Sequence, residues 1–139
     1  MTFLLDTCTI SDAARGDAAT LERLRATAPG AVAVSVISIM EIEYGLALNA
    51  ERARKVAPFV RALLAAASII DYGMADARAT APVRAALARK GKPVGDYDML
   101  IAGTALARGL TLVTANDREF RRISGLTVQN WRGRAADKS

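Results

Sequence analysis

The chain has 139 residues, a length that suits one compact domain, and its 52% hydrophobic content is enough to furnish a core. Nineteen basic residues against 14 acidic ones give a net charge of +5, and fifteen of the 19 are arginines, whose forked donors suit phosphate oxygens; a GC-rich genome would give the same arginine bias. The chain has no histidine, which excludes Ser-His-Asp and Cys-His hydrolases and zinc sites of the usual His and Cys kind, and leaves carboxylates and a hard metal for any hydrolysis.

TFLL, residues 2–5, is a short apolar run that predicts a buried strand. Asp6, Thr7 and Thr9 supply capping side chains for a helix over residues 10–15, which Gly16 and Asp17 break. A second helix is expected over 18–27, with Leu21 and Leu24 on one face, ended by Pro29 and Gly30. AVAVSV, residues 31–36, predicts a second buried strand. Ser38 then reads as an N-cap with Glu41 as its capping-box partner, opening a helix that runs to about Leu48. Val56, Phe59, Val60, Leu63 and Leu64 recur at helical spacing in a helix over 51–67. A short strand over 68–72 and a helix over 74–89 follow, and residues 90–95 form a turn with two lysines. Asp96 or Asp98 begins the next helix, which Gly109 ends. LTLVT, residues 110–114, is a buried strand, residues 116–122 a helical turn, and LTVQN, residues 126–130, the last strand. Residues 1–131 are read as one domain and 132–139 as a polar, frayed tail.

Short, continuously apolar strands alternating with helices predict an α/β fold, a parallel sheet covered on both faces. In such sheets ligands bind beyond the carboxyl ends of the strands, where the strand order switches. Asp6 follows directly on TFLL, Glu41 follows the second strand by a helical turn, Asp98 lies in the apolar helix DYDMLIAGTALARG, and Asp117 and Glu119 follow LTLVT. Each could serve as a helix cap or a dipole-favoured acid. Together, in apolar sequence, they call for a cation, because buried unpaired carboxylates cost several kcal/mol each. All-oxygen ligands favour Mg²⁺ or Mn²⁺, which supports phosphodiester hydrolysis without histidine. Asp12, Asp17, Glu22, Glu43, Glu51, Asp71, Asp76 and Asp137 read as ordinary surface charge. Cys8 cannot form an internal disulfide, has no base to activate it, and reads as a small buried side chain. The N-terminus MTFLLDT has no basic region before its apolar run, and no run approaches the roughly 18 residues that cross a bilayer. A cytoplasmic protein with no membrane partner is expected.

Four segments resemble the motifs of PIN-domain nucleases, in order and over nearly the whole chain. They are FLLDTCTIS, residues 3–11; SVISIMEIEYG, residues 35–45; KGKPVGDYDMLIAGTALARG, residues 90–109; and LVTANDREFRRISGLTVQNW, residues 112–131. Within that family the combination is most similar to VapC toxins of bacterial type II toxin–antitoxin modules. The resemblance implies a three-layer α/β/α sandwich around a parallel sheet of about five strands. It also implies a metal-dependent endoribonuclease acting on structured RNA such as tRNA, with Asp6 and Asp98 as metal ligands and Glu41 as a third, direct or through water. Products with 5′-phosphate and 3′-hydroxyl ends are expected. In the last motif Asn116 stands where many relatives carry an acid, so Asp117 or Glu119 could complete the cluster, or Asn116 could position water. Thr7, Ser38, Asp96, Thr114 and Asn116 are expected around the ligands, and Lys90, Lys92, Arg118, Arg121 and Arg122 could contact RNA phosphates. The implied partners are a VapB-type antitoxin, operator DNA through that antitoxin, and a second copy of the chain. Two rivals remain at this point: an inactive binding module working through an antitoxin, and a phosphohydrolase with Asp6 as nucleophile. Against the second, Cys8 stands where dehalogenase-type enzymes place a second Asp.

Overall fold

The structure is a computed structural model that describes residues 1–92 and 94–132. Pro93 of the expected turn and residues 133–139 of the expected tail lie outside the described residues. In chain order the elements are β1 (Phe3–Leu5), α1 (Thr7–Ala14), α2 (Ala18–Arg25), a 3-10 turn at Pro29–Ala31, β2 (Val32–Ser35), α3 (Val36–Leu48), α4 (Ala50–Ala66), β3 (Ser68–Ile70), α5 (Met74–Arg89), α6 (Asp96–Arg108), β4 (Thr111–Val113), α7 (Asp117–Phe120) and β5 (Val128–Gln129).

The strands form one parallel sheet in the order β3-β2-β1-β4-β5. Alternate residues of each central strand enter different cores, as the period of two requires. Leu4, Ala33 and Leu112 face Ile101, Ala102 and Phe120 on the side of α5, α6 and α7. Leu5, Val34 and Val113 face Ile10, Ile42, Val60 and Trp131 on the side of α1, α3 and α4. Burial on both faces is why these strands read as short, mainly apolar runs without alternation, and it makes the fold the three-layer α/β/α sandwich expected. Helices α5 and α6 cross so closely that a Cβ on Gly103 would lie 1.8 Å from Thr80 Oγ1 and 3.0 Å from Thr80 Cα.

The chain leaves β1 for β2 on one side and reaches β4 on the other, so the strand order switches at β1. The backbone N–H of Asp6 extends the pairing by donating to Val113 O at 3.0 Å. Asp6 and Thr114 therefore emerge side by side at the carboxyl ends of the two central strands, where a crevice forms.

Several local expectations are corrected. Helix α1 begins at Thr7 rather than Ile10, with Asp6 as its N-cap accepting from Thr9 N at 2.8 Å. Ser35, not Ser38, caps α3, accepting from Ile37 N at 3.0 Å. Ser38 is inside the helix and fully buried, so Glu41 has no capping duty. Gly95 is the N-cap of α6, which leaves Asp96 exposed as its first residue. Asp12 and Asp76 are buried ion-pair partners rather than surface charge: Asp12 pairs with Arg15 and Arg132, and Asp76 with Arg108. Arg108 holds the Asp76 carboxyl below the usual carboxylate range. Arg132, expected to open a frayed tail, is bonded to Asp12 through Nε and Nη2 at 3.0 and 2.9 Å. Cys8 is exposed rather than buried.

Candidate active site

Acids from four segments share one electrostatic environment at the crevice. Asp6, at the end of β1, is only 2% exposed. Burial raises its pKa, opposed by hydrogen bonds from the Thr114 side chain and from Thr9, while the charge of Asp12 adds to the rise. Asp98, in the first turn of α6, is pushed up to about 6, first by burial and then by the charges of Asp6, Glu41 and Glu119. That single carboxyl thus senses acids on the β1, α3 and α7 segments. A Cβ added at Gly95 would lie 3.4 Å from Asp98 Oδ2, so the glycine leaves room for the carboxylate over the helix start.

Glu41 lies two turns into α3, half-buried, and accepts a hydrogen bond of 2.6 Å from Thr7 Oγ1. Thr114, fully buried, directs its hydroxyl to the Asp6 carboxyl and accepts from Asn116 N at 2.9 Å. Asn116 Nδ2 donates to Glu119 Oε1 at 2.6 Å and turns that acid toward the cluster. Asp117 faces elsewhere: it accepts from Asn130 Nδ2 at 3.1 Å and pairs with Arg121 at 3.3 Å. Burial alone would raise its pKa, but those two donors outweigh it and hold the carboxyl low. Of the two acids weighed for the last motif, Glu119 is the one brought to the cluster.

Among the described residues Asp6, Glu41 and Asp98 form no ion pair with lysine or arginine. Like charges gathered in a partly desolvated crevice without a cation are the electrostatic condition a divalent ion relieves. The donors are all oxygens, which fits a hard cation. As placed, no three acids among the described residues converge tightly enough to ligate one ion directly, so an ion here would take some of them through water. Ser38 Oγ, one turn before Glu41, is buried without a hydrogen-bond partner among the described residues. The Cys8 thiol is pushed up to about 11 by desolvation and by Asp6, Asp98 and Asp12, so it stays protonated and is no nucleophile near neutrality.

The expected phosphate contacts are distributed unevenly. Lys90, Lys92 and Arg118 are exposed. Arg121 is engaged with Asp117, and Arg122 lies 4.0 Å from Glu119. Asp12 and its forked partner Arg132 were missed by sequence reading. Local sequence shows only Asp12 three residues before Arg15, a spacing that suits that ion pair but does not point to Arg132.

The model of the PIN domain family matches residues 3–126. The chain is 39% identical over 102 residues to the tRNA(fMet)-specific endonuclease VapC of Shigella flexneri, covering 73% of this chain and 76% of the relative. It is 43% identical over 98 residues to the enzyme of the same name from Salmonella typhimurium, covering 70% and 74%. The structure of DNA-bound VapBC from Salmonella typhimurium superposes with a TM-score of 0.85 at 37% identity, over 94% of this chain and 98% of that one. VapBC2 from Rickettsia felis, bound to a DNA fragment from their promoter, superposes with a TM-score of 0.86 at 29% identity, over 94% and 99%.

Proposed function

Because the chain belongs to the PIN-domain family, we propose that it is a Mg²⁺-dependent endoribonuclease and the toxin of a VapBC-type toxin–antitoxin pair. The observation that carries this reading is the gathering of Asp6, Glu41, Asp98 and Glu119 from four chain segments at one crevice, with no lysine or arginine ion-paired to the first three among the described residues. PIN-domain nucleases generally depend on divalent metal, and Mg²⁺, which retains water and tolerates few direct carboxylates, suits acids that are near one another without converging; Mn²⁺ would fit the same oxygens. When bound, the ion would lower the pKa of a water and offset charge on the scissile phosphate and leaving oxygen.

The chain's own residues have these roles in the proposal. Asp6 and Asp98 are the direct ligands, and Glu41 binds directly or through water. Glu119 completes the cluster, steered by Asn116. Thr7 fixes Glu41, and Thr114 fixes Asp6. Ser38 offers an unused hydroxyl behind Glu41. Asp117 is left out of the ligand set, and Asp96 serves only as a first-turn charge. Lys90, Lys92 and Arg118 meet RNA phosphates, with Arg121 a weaker contributor because of Asp117.

Structured RNA such as tRNA is the proposed substrate, since relatives sharing these motifs are tRNA(fMet)-specific endonucleases. A VapB-type antitoxin is the proposed partner, with operator DNA bound through it. A cleft of about 200 Å³ opens beside Thr7 and Glu41 over Ile10, Ile42, Val56 and Val60, which suits an inserted antitoxin segment. A homodimer is proposed through α3, where Met40, Tyr44 and Leu48 are 40%, 65% and 70% exposed at four-residue spacing. No helix among the described residues is long and apolar enough to cross a membrane, and action on cellular RNA puts its work in the cytoplasm. Sequencing of RNA ends after brief expression of wild type and Asp6→Ala tests the reading. Wild type should create discrete new ends that the variant lacks; identical ends in both would refute it.

A further inference from the structure

We propose that Arg132, held in place by the buried carboxylate of Asp12, is an RNA-phosphate contact flanking the catalytic cluster; the inference rests on the ribonuclease reading above. An acidic centre repels the substrate it must cut, so cations are needed beside it. Of the arginines close to the last motif, Arg121 and Arg122 face Asp117 and Glu119. At the Asp12–Arg132 pair, by contrast, the side chain of Asp12 is 5% exposed while that of Arg132 is 40% exposed. Burying a carboxylate is unfavourable unless it is paired and hydrogen-bonded. Asp12 meets that condition by accepting from Nε and Nη2 of Arg132, 120 residues away in sequence, at 3.0 and 2.9 Å.

The fork orients the guanidinium. Arg132 Nη1 makes no hydrogen bond among the described residues, and an open polar cleft runs between Asp12, Arg15, Gly16, Asp17 and Arg132. The backbone around Arg132 is also fixed. Thr20 Oγ1 donates to Trp131 O at 3.3 Å, and Trp131, 2% exposed, stacks at a tilt on Phe3 with centroids 5.4 Å apart. A planar donor set so held matches phosphate oxygens at little entropic cost.

Placement follows from α1. Asp12 stands six residues beyond Asp6, about 9 Å along the helix axis. Exposed Cys8 lies between them on the same face as Asp12, and Arg132 N donates at 2.8 Å to Oδ1 of Asn130, whose Nδ2 donates to Asp117 of the last motif at 3.1 Å. Arg132 is therefore beside the crevice and outside the ligand set, where a phosphate flanking the cleaved one would pass. Asp12 is a positioning residue acting through Arg132.

The test is fluorescence anisotropy of labelled initiator tRNA transcript with the full chain, in Ca²⁺ in place of Mg²⁺, across a series of KCl concentrations. Arg132→Ala should weaken binding several-fold and reduce the salt slope by about one. Arg132→Lys should restore the slope with intermediate affinity, and it keeps the test decisive should the alanine variant fold poorly. Asp12→Asn removes a negative charge, so charge count alone would tighten binding; a held arginine requires weakening instead. In cleavage assays Arg132→Ala should raise KM more than it lowers kcat. Unchanged slope and KM in a folded Arg132→Ala, with wild type binding and cleaving normally, would overturn this inference and leave the ribonuclease reading standing. Wild type that neither binds nor cleaves tRNA would overturn both.

Discussion

The hydroxyl of Thr7 donates to Glu41 Oε1 at 2.6 Å, tying the first residue of α1 to the middle of α3. The bond joins two segments 34 residues apart and sets the direction of a carboxylate that would otherwise be free to rotate. Groups that orient metal-binding carboxylates typically account for on the order of 10–100-fold in metal affinity or activity. Thr7→Val should therefore reduce cleavage on the order of tenfold and raise the Mg²⁺ concentration at half-activity, while Thr7→Ser retains most of both. Equal activity in valine and serine variants would show that the bond is incidental.

Asp98 links stability to pH. Its carboxyl is pushed up to about 6 from the ordinary aspartate value of 3.8, by burial first and then by Asp6, Glu41 and Glu119. Between these values the folded chain binds more protons than the unfolded one, so stability falls as pH rises through that window. Metal-free Asp98→Asn should consequently melt higher than wild type near pH 7.5 and almost equally near pH 4, yet have no nuclease activity. Added Mg²⁺ should raise the melting temperature of wild type more than that of the variant. Wild-type activity should decline as pH drops below about 6, because protons then compete with the ion for Asp98. A variant that melts lower at both pH values would contradict the proposed charge crowding.

Glu119 and Asp117 should separate on mutation. Glu119 is held by Asn116 and felt by Asp98, whereas Asp117 is engaged with Asn130 and Arg121. Glu119→Gln should lower the rate on the order of 10-fold or more with a weakened response to Mg²⁺. Asp117→Asn should change the rate less and show itself mainly as a lower melting temperature. The reverse ranking in metal titrations would move the fourth acid to Asp117.

Packing behind the site gives a prediction of stability alone. A Cβ at position 103 would meet Thr80 side-chain and backbone atoms, at 1.8 Å from Oγ1 and 3.0 Å from Cα. Helices α5 and α6 would have to separate, and overpacking of this kind costs about 1–3 kcal/mol. Urea unfolding of Gly103→Ala should show that loss, and adding Thr80→Ala should recover only part of it because the backbone contact persists. A wild-type midpoint for Gly103→Ala would mean the two helices are not locked at this crossing.

The sheet could be read from the sequence because TFLL, AVAVSV and LTLVT are dominated by apolar residues, carry no charge and do not alternate polar with apolar as a half-exposed strand would. Helix starts were harder to place. Ser38 and Glu41 have the spacing of a capping box, yet Ser35 has the extended backbone and takes the cap. Asp6 does cap a helix, three residues earlier than the apolar periodicity suggests, so the proposed metal ligand is also an N-cap. The nearness of Asp6, Glu41 and Asp98 could be anticipated because each follows a strand or opens a helix; their role as ligands is the proposal. The choice between Asp117 and Glu119 was not, since it turns on Asn130 and Arg121 competing for one of them. The pairing of Asp12 with Arg132 depends on the closed fold bringing α1 against the end of β5, and local sequence carries no trace of it. Cys8 was misplaced for a related reason: apolar neighbours on α1 do not reveal which face the helix turns outward.

Cleavage of initiator tRNA transcript by the purified chain, measured with EDTA, with Mg²⁺ restored, and with Asp6→Asn and Asp98→Asn, bears most directly on the acidic cluster as a metal-dependent nuclease centre. The prediction is discrete cleavage with 5′-phosphate and 3′-hydroxyl ends that vanishes in EDTA, returns with Mg²⁺, and is absent from both variants. Cleavage that persists in EDTA, or in either variant at the wild-type rate, would contradict it.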